Sequence, residues 1–176
     1  MQFVETRIPG VVVVESEPLK DERGSFARAF CAEEYRDAGF PVCIAQCNTS
    51  FNRARGTLRG LHYQATPAAE TKVVRCTRGR VFDVAVDLRP ESQAFCTWTG
   101  TELAPEEHRA HLIPEGCAHG FITLAAESEV FYLMGRAHSP EHARGVRWDD
   151  PAFAIEWPLR PSVISARDAA FADFVR

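Results

Sequence analysis

Apolar residues along this chain fall in short runs, mostly β-branched or aromatic, and turn-forming residues separate them at intervals typical of an all-β sandwich or barrel. The pattern predicts strands over 2–7, 11–16, 25–30, 43–50, 57–64, 71–77, 79–88, 95–102, 109–113, 119–124 and 127–135. Helix signals are sparse. The segment 31–39, CAEEYRDAG, carries acidic residues early and Gly39 at its end, as a short helix should. Ser165 is placed to cap a last helix through ARDAAFADF. Two facing sheets closed into a jelly roll, all-β with a few short helices, accommodate this strand count.

Alternation along each strand then assigns side chains to faces. In VFDVAVDL, Phe82, Val84, Val86 and Leu88 point one way, while Asp83, Ala85 and Asp87 point the other, so one face is apolar and one acidic. Lys72 shares a face with Val74 and Cys76, and Tyr132 with Val130 and Met134. Polar groups among apolar neighbours suit a functional barrel lumen, and equally a surface strand with snorkelling side chains. Simple alternation puts Arg59 on the face opposite His62; a bulge at Gly60 would bring both inward.

Composition narrows the class. At 176 residues, 45% hydrophobic and 25% charged, the chain fits one globular domain over 1–176 with a sizeable core. A net charge of −4, with no basic run to follow a phosphate backbone, argues against a nucleic-acid partner. VVVV at 11–14 is far too short to span a membrane. No signal-peptide pattern precedes Val11, and Cys31, Cys43, Cys47, Cys76, Cys96 and Cys117 form no CxxC pair, so they read as reduced thiols of a cytoplasmic protein. Only Lys20 and Lys72 among the 20 basic residues are lysines, which singles out the amine in TKVVRC.

The run GTLRGLHYQ, 56–64, sets an arginine suited to a bidentate phosphate contact three positions from a histidine suited to proton transfer near neutral pH. Lys72, His119 in PEGCAHGF and Tyr132 in VFY complete a set with an anion site, a base, an enolate stabiliser and a second proton carrier. Taken singly, each has a plainer reading. His62 reads as a hydrogen-bonded structural residue, Arg59 as a surface residue, Tyr132 as a core-edge aromatic and His119 as a turn residue.

PEGCAHG also resembles the second motif of the cupins, the small metal-binding jelly rolls. Their first motif supplies two histidines one residue apart and a glutamate a few residues later. Here that stretch reads His62, Tyr63, Gln64 and then Glu70, so a glutamine replaces one ligand. His62, His119 and Glu70 would be a loose set for a transition metal, and no metal is expected.

In order along the chain, DERGSF, QCNTS, GTLRGLHYQ, KVVRCTRGRVFDVAVDLR, IPEGCAHGF, VRWDDP and ISARD resemble the dTDP-4-dehydrorhamnose 3,5-epimerase family from about Val11 to Asp168. The resemblance implies a cupin-type double-stranded β-helix with no cofactor, acting on a nucleotide-linked 4-keto-6-deoxyhexose. It also implies a homodimer that exchanges N-terminal strands. By motif position His62 matches the base, Asp168 its supporting carboxylate, Lys72 the cation beside the enolate oxygen, and Tyr132 the acid on the other face. Arg23 and Arg59 match diphosphate contacts, Gln46 and Asn48 the nucleoside side, and His119 a sugar contact supported by Asp83. Arg167 stands where the family commonly has Lys. Four positions depart from the pattern: Leu19 for a stacking Phe, Arg28 for a nucleotide-side Glu, His138 for a Tyr, and Ala143 for a substrate-side Glu. The reversed charge at Arg28 leaves CDP, GDP or UDP open as the nucleotide, and His138 leaves open whether one centre or both invert. A metal-dependent cupin isomerase or oxygenase and a non-catalytic sugar-nucleotide binding protein are the competing readings.

Overall fold

The computed structural model describes residues 1–175. In chain order its elements are β1 Gln2–Glu5, β2 Val12–Glu15, β3 Leu19–Asp21, β4 Gly24–Phe26, α1 Ala32–Asp37, β5 Gln46–Asn52, β6 Thr57–Gln64, β7 Lys72–Arg78, β8 Val81–Asp87, β9 Trp98–Leu103, β10 Arg109–Ile113, β11 Cys117–Thr123, β12 Ser128–Met134, β13 Ala143–Gly145, β14 Val163–Ile164 and α2 Ala166–Ala169. One sheet runs β1-β2-β10-β7-β12-β5 and the other β13-β6-β11-β8-β9, with β14 lying parallel to β6. Two facing sheets that consecutive strands enter by crossing over make a jelly roll, as the strand count predicts. The β3–β4 hairpin belongs to neither sheet.

The inner strands β7, β8 and β11 are covered on both faces, and this changes the meaning of the alternation. Between the sheets lie Val11, Val74, Cys76, Val81, Ala85, Phe121 and Val130. Outside the first sheet, Val12, Val14, Val73 and Leu112 pack on Tyr35 of α1 and on Phe3, Phe30 and Phe40. Outside the second, Val84, Val86 and Ala118 pack on Phe153, Trp157 and Phe174 of the C-terminal segment. The apolar face of β8 therefore looks outward under that segment, and the acidic face looks into the barrel. Asp83 is fully buried there, where a carboxylate survives only with partners.

Several boundaries move from the sequence expectation. The strand expected at 25–30 is a short hairpin arm ending at Phe26, and Phe30 packs on Tyr35 at 4.8 Å between rings. The strand expected at 43–50 is displaced to Gln46–Asn52 by its pairing with β12, from Met134↔Gln46 to Ser128↔Asn52. The strand expected at 95–102 begins at Trp98, because Asp87 gathers the Arg89 guanidinium and the Ser92 hydroxyl into a turn before it. Ser165 caps the last helix through the Asp168 amide at 3.0 Å, but the helix stops at Ala169. Beyond it Asp150 accepts a hydrogen bond from the Phe174 amide, which pins the tail as an extended cover. β13 and β14 gave no sequence signal, being only three and two residues long.

Candidate active site

A bulge in β6 builds the centre of the site. His62 pairs with His119 across β6 and β11, and Arg59 with Phe121, so three steps on β6 match two on β11. The extra residue reverses the alternation and turns Arg59 and His62 to the same side. Glycine makes this possible. Gly60 has φ +136°, and a Cβ there would lie 2.6 Å from the Gly120 Cα.

Arg59 and His62 accordingly line one cavity of about 550 Å³ with Asn48, Lys72, His119, Tyr132, Arg167 and Asp168. His62 and His119 come from one sheet, Lys72 and Tyr132 from the other, and Asp168 and Arg167 from α2. The His62 ring is 40% exposed, whereas its partner Asp168 is buried. His62 Nε2 lies 2.8 Å from Asp168 Oδ1, and the Gly60 amide donates to Oδ2 at 3.1 Å. Burial alone would raise the Asp168 pKa, but these donors hold the carboxyl below its ordinary range. Asp168 thus stays ionised and fixes the imidazole by its Nε2 edge.

Lys72 is buried and donates to the His62 carbonyl at 3.0 Å, with Glu70 Oε1 at 3.2 Å. Burial pulls its ammonium pKa down, and the Glu70 carboxylate works against that. Tyr132 packs edge-on to His119, 6.1 Å between ring centroids. Burial pushes its phenol pKa up, so it remains an O–H at neutral pH. Behind His119, Asp83 Oδ2 lies 2.8 Å from Nε2, and Asp83 Oδ1 lies 2.8 Å from His111 Nδ1. Arg59 donates to Asn52 Oδ1 at 2.7 Å, which sets the angle of its guanidinium.

The other sequence candidates divide. Asn48 is in the cavity, while Gln46 stands at its margin, donating to Asn48 Oδ1 at 3.0 Å and accepting from the His138 amide at 3.0 Å. His138 and Ala143 line a second cavity of about 200 Å³, which shares His62, Lys72 and Arg167 with the first. Arg23 sits on the β3–β4 hairpin beside Asp21, and Arg28 is ion-paired with Glu34 of α1. Within this chain neither arginine reaches the cavity. Leu19 lies on the same hairpin, 73% exposed opposite Phe26. Sequence reasoning missed three supporting groups. In the sequence Glu70 reads only as a metal ligand, Asn52 carries no signal, and His111 is one residue of the strand expected at 109–113.

The residues do not fit a cupin metal. His62 Nε2 is committed to Asp168, His119 Nε2 to Asp83 and Glu70 to Lys72. Gln64 spends its amide on the Ala68 carbonyl and the Ser139 amide. Among the described residues no three His, Cys, Asp or Glu converge on a point.

A jelly roll that brings an imidazole with its helix-borne carboxylate, a buried ammonium and a partly buried phenol to one cavity is an isomerase moving protons at a carbon acid. Three basic side chains, Arg59, Lys72 and Arg167, make its cavity fit for an anion. The chain belongs to the dTDP-4-dehydrorhamnose 3,5-epimerase family, whose sequence profile matches residues 5–175. The dTDP-4-dehydrorhamnose 3,5-epimerase of Shigella flexneri is 42% identical over 176 residues, covering 99% of this chain and 97% of that one. The Bacillus anthracis enzyme of that name, crystallised with TDP and PPi, superimposes with a TM-score of 0.95 at 34% identity, over 98% of this chain and 99% of that one. The Legionella pneumophila epimerase in complex with dTDP-4-keto-L-rhamnose gives a TM-score of 0.91 at 37% identity, over 97% and 90%.

Proposed function

We propose that this protein inverts C3 and C5 of a dTDP-linked 4-keto-6-deoxyhexose, with His62 as base and Tyr132 as acid. The observation that carries the reading is that these two groups approach one cavity from opposite sheets, with Lys72 beside them. A ketone at C4 acidifies the hydrogens on both neighbouring carbons. His62 takes one of these protons, the C–H electron pair moves into the ring, and the charge collects on the ketone oxygen. The Lys72 ammonium stabilises that enolate, and Tyr132 returns a proton to the opposite face. Electrons end where they began, so no redox partner enters the balance.

Asp168 orients His62, Arg59 and Arg167 take the diphosphate end, Asn48 and Gln46 the nucleoside side, and His119 a sugar group. Leu19 and Arg28 opened the reading to other nucleotides. The relatives described above support dTDP. The exposed hairpin bearing Leu19, Arg23 and Phe26 supports a homodimer with exchanged N-terminal strands, in which Arg23 and Arg28 serve the partner's site. The whole chain acts as one unit, and its six free cysteines support a cytoplasmic setting.

His62→Ala tests the reading. It is expected to abolish solvent deuterium incorporation into the keto-sugar while dTDP affinity, measured by calorimetry, stays close to the parent's. Exchange near the parent rate would remove His62 as the base.

A further inference from the structure

We infer that His111, outside the cavity, is a positioning residue that fixes the direction of hydrogen bonding along His111–Asp83–His119, so that His119 presents Nδ1 to the cavity as an acceptor for a sugar hydroxyl. The inference rests on the epimerase reading for the sugar, but not for the direction of the bonds.

His111 lies on β10, opposite Val13 of β2 and Val74 of β7, and none of its surface reaches solvent. Nδ1 is 2.8 Å from Asp83 Oδ1, and Nε2 has no hydrogen-bond partner among the described residues. A neutral imidazole has a single N–H. On Nε2 that proton would be a buried orphan, and the Nδ1 lone pair would face the carboxylate. A charged His111 would bury the same orphan. The proton therefore sits on Nδ1, and His111 is a neutral donor to an ionised Asp83.

Asp83 Oδ2 takes the second donor, His119 Nε2, at 2.8 Å. Burial pulls the His119 pKa down, Asp83 opposes this, and the charge on Lys72 adds to the lowering, so the ring is neutral with its proton on Nε2. Nδ1 is then the nitrogen left to the cavity that His119 lines, and it can only accept. The titratable groups around Asp83 are His111 from β10, His119 from β11, Lys72 and Cys76 from β7, and Tyr132 from β12. Burial favours the neutral acid, and the two histidines outweigh it to hold the Asp83 pKa below the ordinary carboxylate range. Without His111, Oδ1 would be a buried orphan and Asp83 would bind a proton more readily. A protonated Asp83 would donate to His119 Nε2, reverse its tautomer and present an N–H to the sugar in place of an acceptor.

Nitrogen-15 spectra of the labelled parent protein between pH 6 and 8 are expected to show His119 protonated at Nε2 and His111 at Nδ1. The opposite tautomer of either ring overturns the inference. In His111→Leu, the same spectra are expected to show the pH at which the His119 tautomer reverses moved up by about one to two units, the effect of one lost donor to a buried carboxylate. The variant's affinity for dTDP, which lacks the sugar, should be unchanged. His111→Asn, whose amide donates from nearly the same place, is expected to return that midpoint toward the parent's. An unmoved tautomer midpoint in a folded His111→Leu also overturns the inference, and if that variant does not fold, the parent spectra decide. A parent enzyme that binds dTDP but exchanges no sugar proton would sink the epimerase reading, leaving the spectra to judge His111 alone.

Discussion

Lys72 shows how much a single side chain's meaning depends on its surroundings. Two of its three donors are engaged, one at Glu70 and one at the His62 carbonyl, and the third is available to the cavity. An ammonium buried in this way is pre-aimed, so its attraction grows as charge develops on the ketone oxygen. Removing one such donor lowers turnover on the order of 10²- to 10³-fold. Lys72→Met is expected to show that loss in kcat with KM changed only a few-fold, read by steady-state kinetics on the keto-sugar. Glu70→Gln should accompany it, because Glu70 Oε2 already lacks a partner and a lone buried carboxylate would destabilise the fold. Normal turnover with poor affinity would make Lys72 a ground-state anchor. At this scale the sequence was readable for His62, Lys72 and Tyr132 as chemical types. It offered Glu70 only as a metal ligand and gave no sign of Asn52, and both roles come from which strand lies beside them.

Strand β6 carries the site because of one irregularity. Gly60 and Gly120 let β6 and β11 approach so closely that a Cβ at Gly120 would meet the Arg59 carbonyl at 2.8 Å. Gly60→Ala adds a methyl at φ +136° with no room to receive it, a strain of about 1–3 kcal/mol before any clash is counted. The variant is expected to melt several degrees lower and to lose catalytic rate beyond what its folded fraction explains, as Arg59 and His62 cease to share a side. Thermal denaturation with kinetics at a temperature where the variant is folded checks this; full activity there would show that the bulge does not set the site. The sequence raised a bulge at Gly60 as one of two possibilities, since a glycine permits an extra residue but does not require it. The pairing of β6 with β11 decided between them.

For the whole molecule, the β3–β4 hairpin is the part a single chain does not explain. It stands off both sheets with Leu19 73% and Phe26 74% exposed, facing each other across the hairpin. If it docks on a second copy and delivers Arg23 there, Leu19→Asp with Phe26→Asp should convert a dimer to a monomer and weaken dTDP binding at least tenfold, the loss of one charged contact. Light scattering and calorimetry read the two effects. A dimer that persists with unchanged affinity would leave the hairpin without a role in the site.

Alternation and turn spacing by themselves determined that this chain is an all-β jelly roll, because the period of two and the runs between turns are local properties. Motif order determined the family. What only the tertiary structure decided is which side of each strand is inside. Both faces of β8 are covered, so the sequence displayed an apolar and an acidic face without telling them apart. The C-terminal segment settles this by covering the apolar face, which leaves Asp83 to the lumen between His111 and His119. The same segment brings Asp168 to His62 from 106 positions away. Contacts at that separation depend on how the chain closes over the sheet, and no local pattern encodes them.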